Sequence, residues 1–348
     1  MNAVSPDPSA GATPVKLTRK DFSSDQEVRW CPGCGDYGIL GAVQFALAEM
    51  GADPANTVFV SGIGCAARLP YYMNTYGMHG IHGRAPALAT GVAMANPSLD
   101  VWVIGGDGDM LSIGGNHLIH ALRRNVNIKI LMFNNEIYGL TKGQYSPTSE
   151  IGKVTKSTPF GSVDHPFNPL SVAIGAEASF VARTHDMDRK HMMETFRLAH
   201  EHRGAAFVEV FQNCNVFNNG AYEDILKKDA RPDMIIPLVH GQPIRFGANG
   251  EHGVAVNEFG EPYVCETADV GVRNLLVHDE TRADPTLAFA LSRLADSPHS
   301  PTPIGVFRSV ERPIYEVEVQ AQVDHAVESK GTGDLRKLLH SGAVWTVD

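Results

Sequence analysis

The sequence predicts an α/β fold with an open, mostly parallel sheet flanked by helices. Short runs rich in apolar and β-branched residues recur at residues 57–61, 101–104, 128–133 and 205–211. Runs of this length and composition are typical of buried parallel strands. Helical patterns lie between them, and this alternation indicates parallel strands joined by right-handed helical crossovers.

Two of the predicted helices have patterns that suit packing on such a sheet. Residues 39–50 are rich in alanine and leucine, which allows close contact with neighbouring strands. Residues 115–124 place Leu118, Ile119 and Leu122 on one face, which is the spacing of an amphipathic helix. We therefore expect helices to cover the predicted strands.

The chain is predicted to divide into three parts. Residues 1–15 are rich in Ser, Pro, Ala and Gly, as in a flexible arm. Residues 16–220 form the α/β domain that carries the candidate site. Beyond it the pattern loosens, so residues 221–348 are expected to form a C-terminal extension that contacts a partner. Residues 146–169 lack periodicity, and a loop of this length is usually functional or makes partner contacts.

Composition excludes several classes of protein. The chain has 348 residues, of which 43% are hydrophobic, so it can bury a substantial core. A net charge of -10 without a basic run argues against a nucleic-acid partner. No apolar run approaches the roughly 18 residues of a membrane span, and no signal peptide follows Met1. We expect a cytoplasmic protein with no membrane partner.

Polar residues follow two predicted strands that should be neighbours. Asp107 comes after the strand at residues 101–104, and Asn135 comes after the strand at 128–133. Parallel strands end at one edge of the sheet, where α/β proteins bind ligands. Mg²⁺ prefers oxygen ligands and completes its shell with phosphate and water. We expect Asp107, Asn135 and the backbone carbonyl of Ile137 to hold Mg²⁺ and a diphosphate.

Four of the five cysteines form a second candidate site. Cys31 and Cys34 share a tight Gly/Pro turn, while Cys65 and Cys214 each follow a predicted strand. Four thiolates suit either tetrahedral Zn²⁺ or an iron–sulfur cluster, and the spacing leaves both open. Cys265 lies in the loosened region without a partner in sequence, so we leave it out.

Several motifs together resemble a known family. In chain order they are WCPGCG (30–35), GIGC (62–65), HGIHGRAPALATG (79–91), GGDGD (105–109), NNEIYGLTKGQYSPTS (134–149) and the stretch around Cys214. GDG followed by NN resembles the thiamine diphosphate motif, and the whole set resembles the β subunit of 2-oxoacid:ferredoxin oxidoreductases. The resemblance is dense from residue 30 to 217. It implies thiamine diphosphate with Mg²⁺, and a 4Fe-4S cluster rather than zinc on the four cysteines.

The resemblance also implies an activity and partners. Members decarboxylate a 2-oxoacid, pass the electrons through the cluster to ferredoxin and transfer the acyl group to coenzyme A. The YGLTKGQ loop resembles the 2-oxoglutarate type, which implies conversion of 2-oxoglutarate to succinyl-CoA and CO₂, or the reverse. The chain offers no second α/β domain and no glutamate for the aminopyrimidine. An α subunit is therefore expected, as an αβ pair that doubles to a heterotetramer.

Individual residues receive expected roles from these motifs. Lys142 is expected to meet the second carboxylate of the substrate, and His82 and Arg84 are expected to supply charge or hydrogen-bond donors during catalysis. The residues expected to contact the cofactor are Gly64, His79, His82, Gly106, Asp107, Gly108, Asp109, Asn135, Ile137, Gly139 and Leu140.

Other functions compete with this hypothesis. A related enzyme would use pyruvate or a broad range of 2-oxoacids. A thiamine diphosphate decarboxylase or synthase with structural zinc would need no ferredoxin. A non-catalytic iron–sulfur subunit would keep the cysteines without a working cofactor site. A plain nucleotide-binding protein is disfavoured, because no GxGxxG or GxxxxGK[ST] motif follows the first predicted strand.

Overall fold

The computed structural model describes residues 16–294 and 300–347, and these residues contain two sheets. The strands are β1 (Thr57–Ser61), β2 (Tyr76–His79), β3 (Asp100–Gly106), β4 (Lys129–Asn134), β5 (Phe180–His185), β6 (Ala206–Phe211), β7 (Ile235–Leu238), β8 (Arg245–Phe246), β9 (His252–Val256), β10 (Pro262–Glu266) and β11 (Thr302–Ser309). The main sheet has the order β2-β1-β3-β4-β6-β5-β11-β7, and the small sheet has the order β10-β9-β8.

Helices cover both faces of the main sheet. They are α1 (Asp36–Met50), α2 (Ala85–Ala95), α3 (Gly115–Arg124), α4 (Pro169–Gly175), α5 (Arg189–Glu201), α6 (Glu223–Leu226), α7 (Arg231–Met234), α8 (Thr267–Val270), α9 (Thr286–Ser292), α10 (Tyr315–Lys330) and α11 (Leu335–Leu339). Side chains cap several of them. Asn168 accepts from Ser171 N at the start of α4, and Asp188 accepts from His191 N at the start of α5.

The main sheet is mostly parallel, as the sequence predicts. The six strands from β2 to β5 in the sheet order pair in parallel, and only the pairing of β5 with β11 is antiparallel. Successive side chains of a strand point to opposite faces. Thus Val101 and Val103 join the core beneath α2 and α3, whereas Trp102 and Ile104 join the core beneath α1 and α5. The predicted fold class is confirmed.

The part of the chain after residue 220 does not stand apart from this sheet. Strands β7 and β11 extend the main sheet beyond β5, while β8 to β10 form the small sheet. The proposed division at residue 220 therefore cuts through one sheet and remains a prediction. The expected arm at residues 1–15 lies outside the described residues. None of the described helices has the length and apolar character needed to cross a membrane.

Candidate cofactor and cluster site

The ends of β3 and β4 bring the predicted metal ligands to one place. The two strands are parallel neighbours, with Gly106 opposite Phe133, so Asp107 and Asn135 leave the sheet at the same edge. Asp107 is only 2% exposed. Burial raises the pKa of this carboxyl to about 6, while hydrogen bonds from Ser146 and Thr148 act in the opposite direction. A cation at this edge would favour the charged carboxylate.

Asn135 and Ile137 belong to a tight turn directly after β4. The Asn135 side chain accepts from Ile137 N at 3.2 Å and donates to Gln212 Oε1 at 2.7 Å. Between them Glu136 has a φ of +56°, a left-handed conformation that reverses the chain. The carboxylate of Asp107, an amide oxygen and a backbone carbonyl are oxygen donors of the kind that Mg²⁺ prefers. The donor set therefore fits the metal expected from the sequence.

Glycines allow close packing in the chain segments that follow β3 and β4. A Cβ on Gly108 would lie 2.2 Å from the ring of Tyr138, whose hydroxyl donates to Gly108 O. A Cβ on Gly139 would lie 3.5 Å from Cys65 Sγ and 3.6 Å from Cys214 Sγ. The turn that follows the metal ligands thus packs directly against two thiols.

Asp109 connects the loop after β1 to the loop before α2. It is 2% exposed, and its carboxylate accepts from Ile63 N at 3.1 Å and from Gly83 N at 2.8 Å. The same oxygen contacts His82 Nδ1. Because the Asp109 carboxylate is engaged by this chain's own donors, it orients the loops that carry Gly64 and His82.

His79, Arg84 and Lys142 are exposed. His79 Nδ1 is 3.0 Å from Ser61 Oγ, and Arg84 contacts the ring of His117. Lys142 is exposed at the tip of a loop whose ends pair through Tyr138 and Gln144, and it has a φ of +76°. A left-handed backbone is unfavourable for lysine by roughly 1–2 kcal/mol. The loop therefore holds Lys142 in a strained position.

Four of the five cysteines gather next to this turn. Cys214 is buried, Cys34 and Cys65 are half-buried and Cys31 is exposed. Burial, followed by the nearby Asp36 carboxyl and two other thiols, raises the pKa of Cys65 to about 12. Burial also raises the pKa of Cys34 above its ordinary range. Binding of a metal centre would have to displace these thiol protons.

The two candidate metal centres make different demands on the thiols. Within residues 16–294 and 300–347, no three His, Cys, Asp or Glu side chains are placed to hold a single metal ion. Tetrahedral zinc needs each thiolate at about 2.3 Å from one ion, whereas a cluster distributes four thiolates over several irons. Cys265 lies on β10 in the small sheet, where its Sγ faces Gly253 O.

Sequence reasoning missed the buried hydroxyls next to Asp107 and Glu136. Thr148 Oγ1 donates to Asp107 Oδ2 at 2.6 Å, and Ser149 Oγ donates to Glu136 O. A cavity of about 790 Å³ lies next to them and is lined by His82, Tyr138 and Ser146, among others. This volume falls in the range of small-molecule sites. In the sequence, the Ser/Thr-rich stretch at residues 146–149 was the feature that could have indicated these hydroxyls.

This fold and site define a thiamine diphosphate-binding chain. Residues 62–210 match the family described as thiamine pyrophosphate enzyme, C-terminal TPP binding domain. The chain is 58% identical over 331 residues to 2-oxoglutarate oxidoreductase subunit KorB of Mycobacterium tuberculosis, covering 94% of this chain and 88% of the relative. It is 48% identical over 190 residues to the beta subunit of 2-oxoacid:ferredoxin oxidoreductase 1 of Aeropyrum pernix, covering 55% and 60%.

A solved structure agrees with these relatives. The 2-oxoglutarate:ferredoxin oxidoreductase from Magnetococcus marinus, with 2-oxoglutarate, coenzyme A and succinyl-CoA bound, matches with a TM-score of 0.74 and 34% identity. The match covers 95% of this chain and 97% of the other. The chain belongs to the β-subunit family of the 2-oxoacid:ferredoxin oxidoreductases. The family expected from the sequence is confirmed, and such a subunit works with an α subunit.

Proposed function

We propose that this chain is the β subunit of a coenzyme A-dependent 2-oxoglutarate:ferredoxin oxidoreductase. The enzyme converts 2-oxoglutarate and coenzyme A to succinyl-CoA and CO₂ and passes two electrons to ferredoxin, or runs in reverse. The observation that supports this proposal most directly is the position of Gly139, which follows the turn of Asn135 and Ile137 and packs on the Cys65 and Cys214 thiols. A cofactor bound at that turn and an electron acceptor bound at the thiols would therefore be neighbours. The named substrates of the M. tuberculosis and Magnetococcus relatives support 2-oxoglutarate.

The cofactor half of the site would hold thiamine diphosphate through Mg²⁺. Asp107, Asn135 and Ile137 would supply the protein ligands of the metal, and the glycines of the GDG turn would admit the diphosphate. When bound, thiamine diphosphate supplies the electron sink for decarboxylation. Thr148 orients the Asp107 carboxylate, and Asp109 orients His82, which lines the cavity of about 790 Å³.

The cysteine half of the site would hold a 4Fe-4S cluster. The ligands would be Cys31, Cys34, Cys65 and Cys214. Burial of Cys214 keeps water from one side, whereas exposed Cys31 leaves the other side open to an electron carrier. Ferredoxin would therefore approach at the Cys31 turn.

Further residues would contact the substrate or the cofactor. Lys142 would pair with the distal carboxylate of 2-oxoglutarate, and Leu140 would contact the cofactor. His82 and Arg84 would supply charge and donors next to the diphosphate. The α subunit would bring the glutamate for the aminopyrimidine, and the αβ pair would double to a heterotetramer. The assembly is proposed to be cytoplasmic, without nucleic-acid or membrane partners.

The experiment is anaerobic purification of the chain with its α subunit, followed by iron and sulfide analysis and visible spectroscopy. We expect about four iron and four sulfide per β chain, as in a 4Fe-4S cluster. The visible absorbance should bleach on addition of 2-oxoglutarate with coenzyme A. Zinc in place of iron would contradict the cluster, and an iron centre indifferent to every 2-oxoacid would contradict the reaction.

A further inference from the structure

A cavity of about 380 Å³ lies at the carboxyl end of β5, on the same edge of the main sheet as Asp107. His185, the last residue of β5, pairs with the end of β6, and β6 pairs with the end of β4. The cavity therefore lies two strands away from the turn of Asn135. Its described lining residues differ from those assigned to the cofactor, the cluster and the substrate.

Residues beyond 220 close this cavity and bring two arginines to it. Arg231 is the first residue of α7, and Arg245 lies on β8. Arg231 donates Nε and Nη2 to Leu226 O at 3.3 and 2.8 Å, and Arg245 donates Nη2 to Gly250 O at 2.9 Å. Backbone carbonyls carry no net charge, so these hydrogen bonds hold the two guanidiniums in place without neutralising them.

The net charge of the cavity lining is positive. Burial lowers the pKa of His185 to about 4 and also lowers the pKa of His191, so both imidazoles are neutral at pH 7. Among the described residues that line the cavity, Asp188 is the only acidic one, and its carboxylate accepts from His191 N at 3.0 Å. Two guanidiniums and one carboxylate leave a formal charge of +1. The cavity thus favours an anion.

His185 gives a second, independent indication of a ligand. Its side chain is 2% exposed and lines the cavity, yet Nδ1 has no hydrogen-bond partner within residues 16–294 and 300–347. Buried polar atoms are rarely left without a partner, and a bound ion is one way to satisfy such an atom. A neutral imidazole can donate a hydrogen bond from Nδ1, so an oxygen of a bound molecule suits this position.

The remaining wall of the cavity is largely apolar. Ile235, Phe246 and Ile304 contribute to it from β7, β8 and β11. The cavity volume lies in the range of small-molecule sites, and such sites combine an apolar wall with a few convergent polar groups. A free inorganic anion would leave the apolar wall uncovered, whereas an anion with an organic body matches both parts of the lining.

We propose that this cavity is a binding site for a small phosphate monoester. Arg231 and Arg245 bind the phosphate, because guanidinium N–H donors match phosphate oxygens in geometry and charge. His185 donates a further hydrogen bond, and the organic body packs on Phe246 and Ile304. The inference goes beyond the proposed function, since it adds a ligand that the conversion of 2-oxoglutarate does not use.

The test measures the binding of three probes to the intact αβ enzyme by calorimetry. The probes are AMP, inorganic phosphate and adenosine, which represent a phosphate monoester, the phosphate alone and the organic body alone. The variants are Arg245→Gln, Arg245→Lys and the control Arg273→Gln. Arg273 is exposed and does not line the cavity. Circular dichroism and iron analysis check that each variant is folded and carries its cluster.

We expect AMP to bind the wild type more tightly than either inorganic phosphate or adenosine. Arg245→Gln should raise the Kd of AMP and of inorganic phosphate by roughly tenfold, the loss typical of a charged hydrogen bond, and should leave the Kd of adenosine unchanged. Arg245→Lys should recover part of the affinity, and Arg273→Gln should match the wild type. The KM of coenzyme A should be the same in Arg245→Gln as in the wild type.

Several results would overturn the site. If neither AMP nor inorganic phosphate binds the wild type, or if Arg245→Gln binds both as the wild type does, the arginines hold no phosphate. Phosphate that binds as tightly as AMP would show that the apolar wall receives no organic body.

A third contrary result concerns coenzyme A. Displacement of AMP by coenzyme A, with a raised KM of coenzyme A in Arg245→Gln, would make the cavity part of the substrate site. The binding measurements need no turnover, so an enzyme that binds AMP and converts no 2-oxoacid contradicts the proposed function alone.

Discussion

Thr148 donates its hydroxyl proton to Asp107 Oδ2 over 2.6 Å, and so connects the loop at residues 146–169 to the edge of the sheet that carries Asp107 and Asn135. The same hydroxyl lies 2.9 Å from Asn134 Oδ1. The Asn134 amide donates to Glu209 Oε1 at 2.7 Å, and Glu209 pairs with Arg183 at 2.7 Å. Polar contacts thus cross the four neighbouring strands from β5 to β3 and end on Asp107, the proposed metal ligand.

The first prediction concerns the Thr148 hydroxyl. Thr148→Val keeps the volume but leaves Asp107 without its shortest hydrogen bond. Groups that orient a metal ligand typically affect affinity by about 10–100-fold, so the Mg²⁺ concentration needed for thiamine diphosphate binding should rise in that range. Calorimetric titration at several Mg²⁺ concentrations measures it. Thr148→Ser keeps the hydroxyl and should bind like the wild type, and equal affinity of the valine variant would contradict the prediction.

The second prediction concerns the buried pair at the far end of this network. Arg183 and Glu209 are 3% and 1% exposed. Glu209→Leu leaves the Arg183 guanidinium buried without its counter-charge, which typically costs about 3–5 kcal/mol. Urea unfolding of the αβ complex followed by circular dichroism should show this loss. The double variant with Arg183→Met removes both charges and should recover much of it, whereas equal losses would rule out charge burial as the cause.

The third prediction separates the cluster cysteines from the fifth cysteine. Cys65→Ser removes one of the four gathered thiols and should reduce iron and sulfide content and visible absorbance. Cys265→Ser is the matched control, because Cys265 lies on β10 in the small sheet. The control should retain the iron and sulfide of the wild type. Equal iron loss in both variants would contradict the assignment.

The fourth prediction concerns the loop that carries Lys142. Lys142→Gln removes a charge that is exposed next to the cofactor turn. The KM for 2-oxoglutarate should rise roughly tenfold or more, as for a lost charged hydrogen bond. The monocarboxylate 2-oxobutyrate has no second carboxylate, so its KM should be unaffected. Lys156→Gln, also exposed, is the control. Parallel changes for both substrates would remove Lys142 from substrate selection.

The fifth prediction concerns pH and His185. Burial, followed by the charge of Arg231, lowers the pKa of His185 from 6.5 to about 4. Between these pH values the unfolded chain binds more protons than the folded chain. The contribution of neutral His185 is therefore complete above pH 6.5 and is lost as the pH falls to 4.

His185→Leu should remove this part of the pH dependence. The free energy of unfolding of the wild type should fall more steeply with decreasing pH than that of the variant, by up to about 1.4 kcal/mol per pH unit. Urea unfolding of both proteins between pH 4 and 8 measures the two slopes. Parallel curves would mean that His185 does not titrate on unfolding.

Local patterns predicted much of the fold and several site positions. The predicted strand at residues 57–61 and the helix at 115–124 coincide with β1 and α3, because period and composition are properties of neighbouring residues. The same local patterns predicted that strands end just before Asp107 and Asn135. Residues beyond 220 were not expected in the main sheet, since the pairing of β11 with β5 joins segments far apart in the chain.

The sequence by itself determined the α/β class, the edge that carries Asp107 and Asn135, and the four cysteines set apart from Cys265. Only the tertiary structure decided which groups support them. Thr148, Glu209 and Arg183 come from separate segments and meet because β5, β6, β4 and β3 lie side by side. Hydrogen bonds between distant segments leave no periodic signal in the chain, since each depends on the register of strands that fold together from different places.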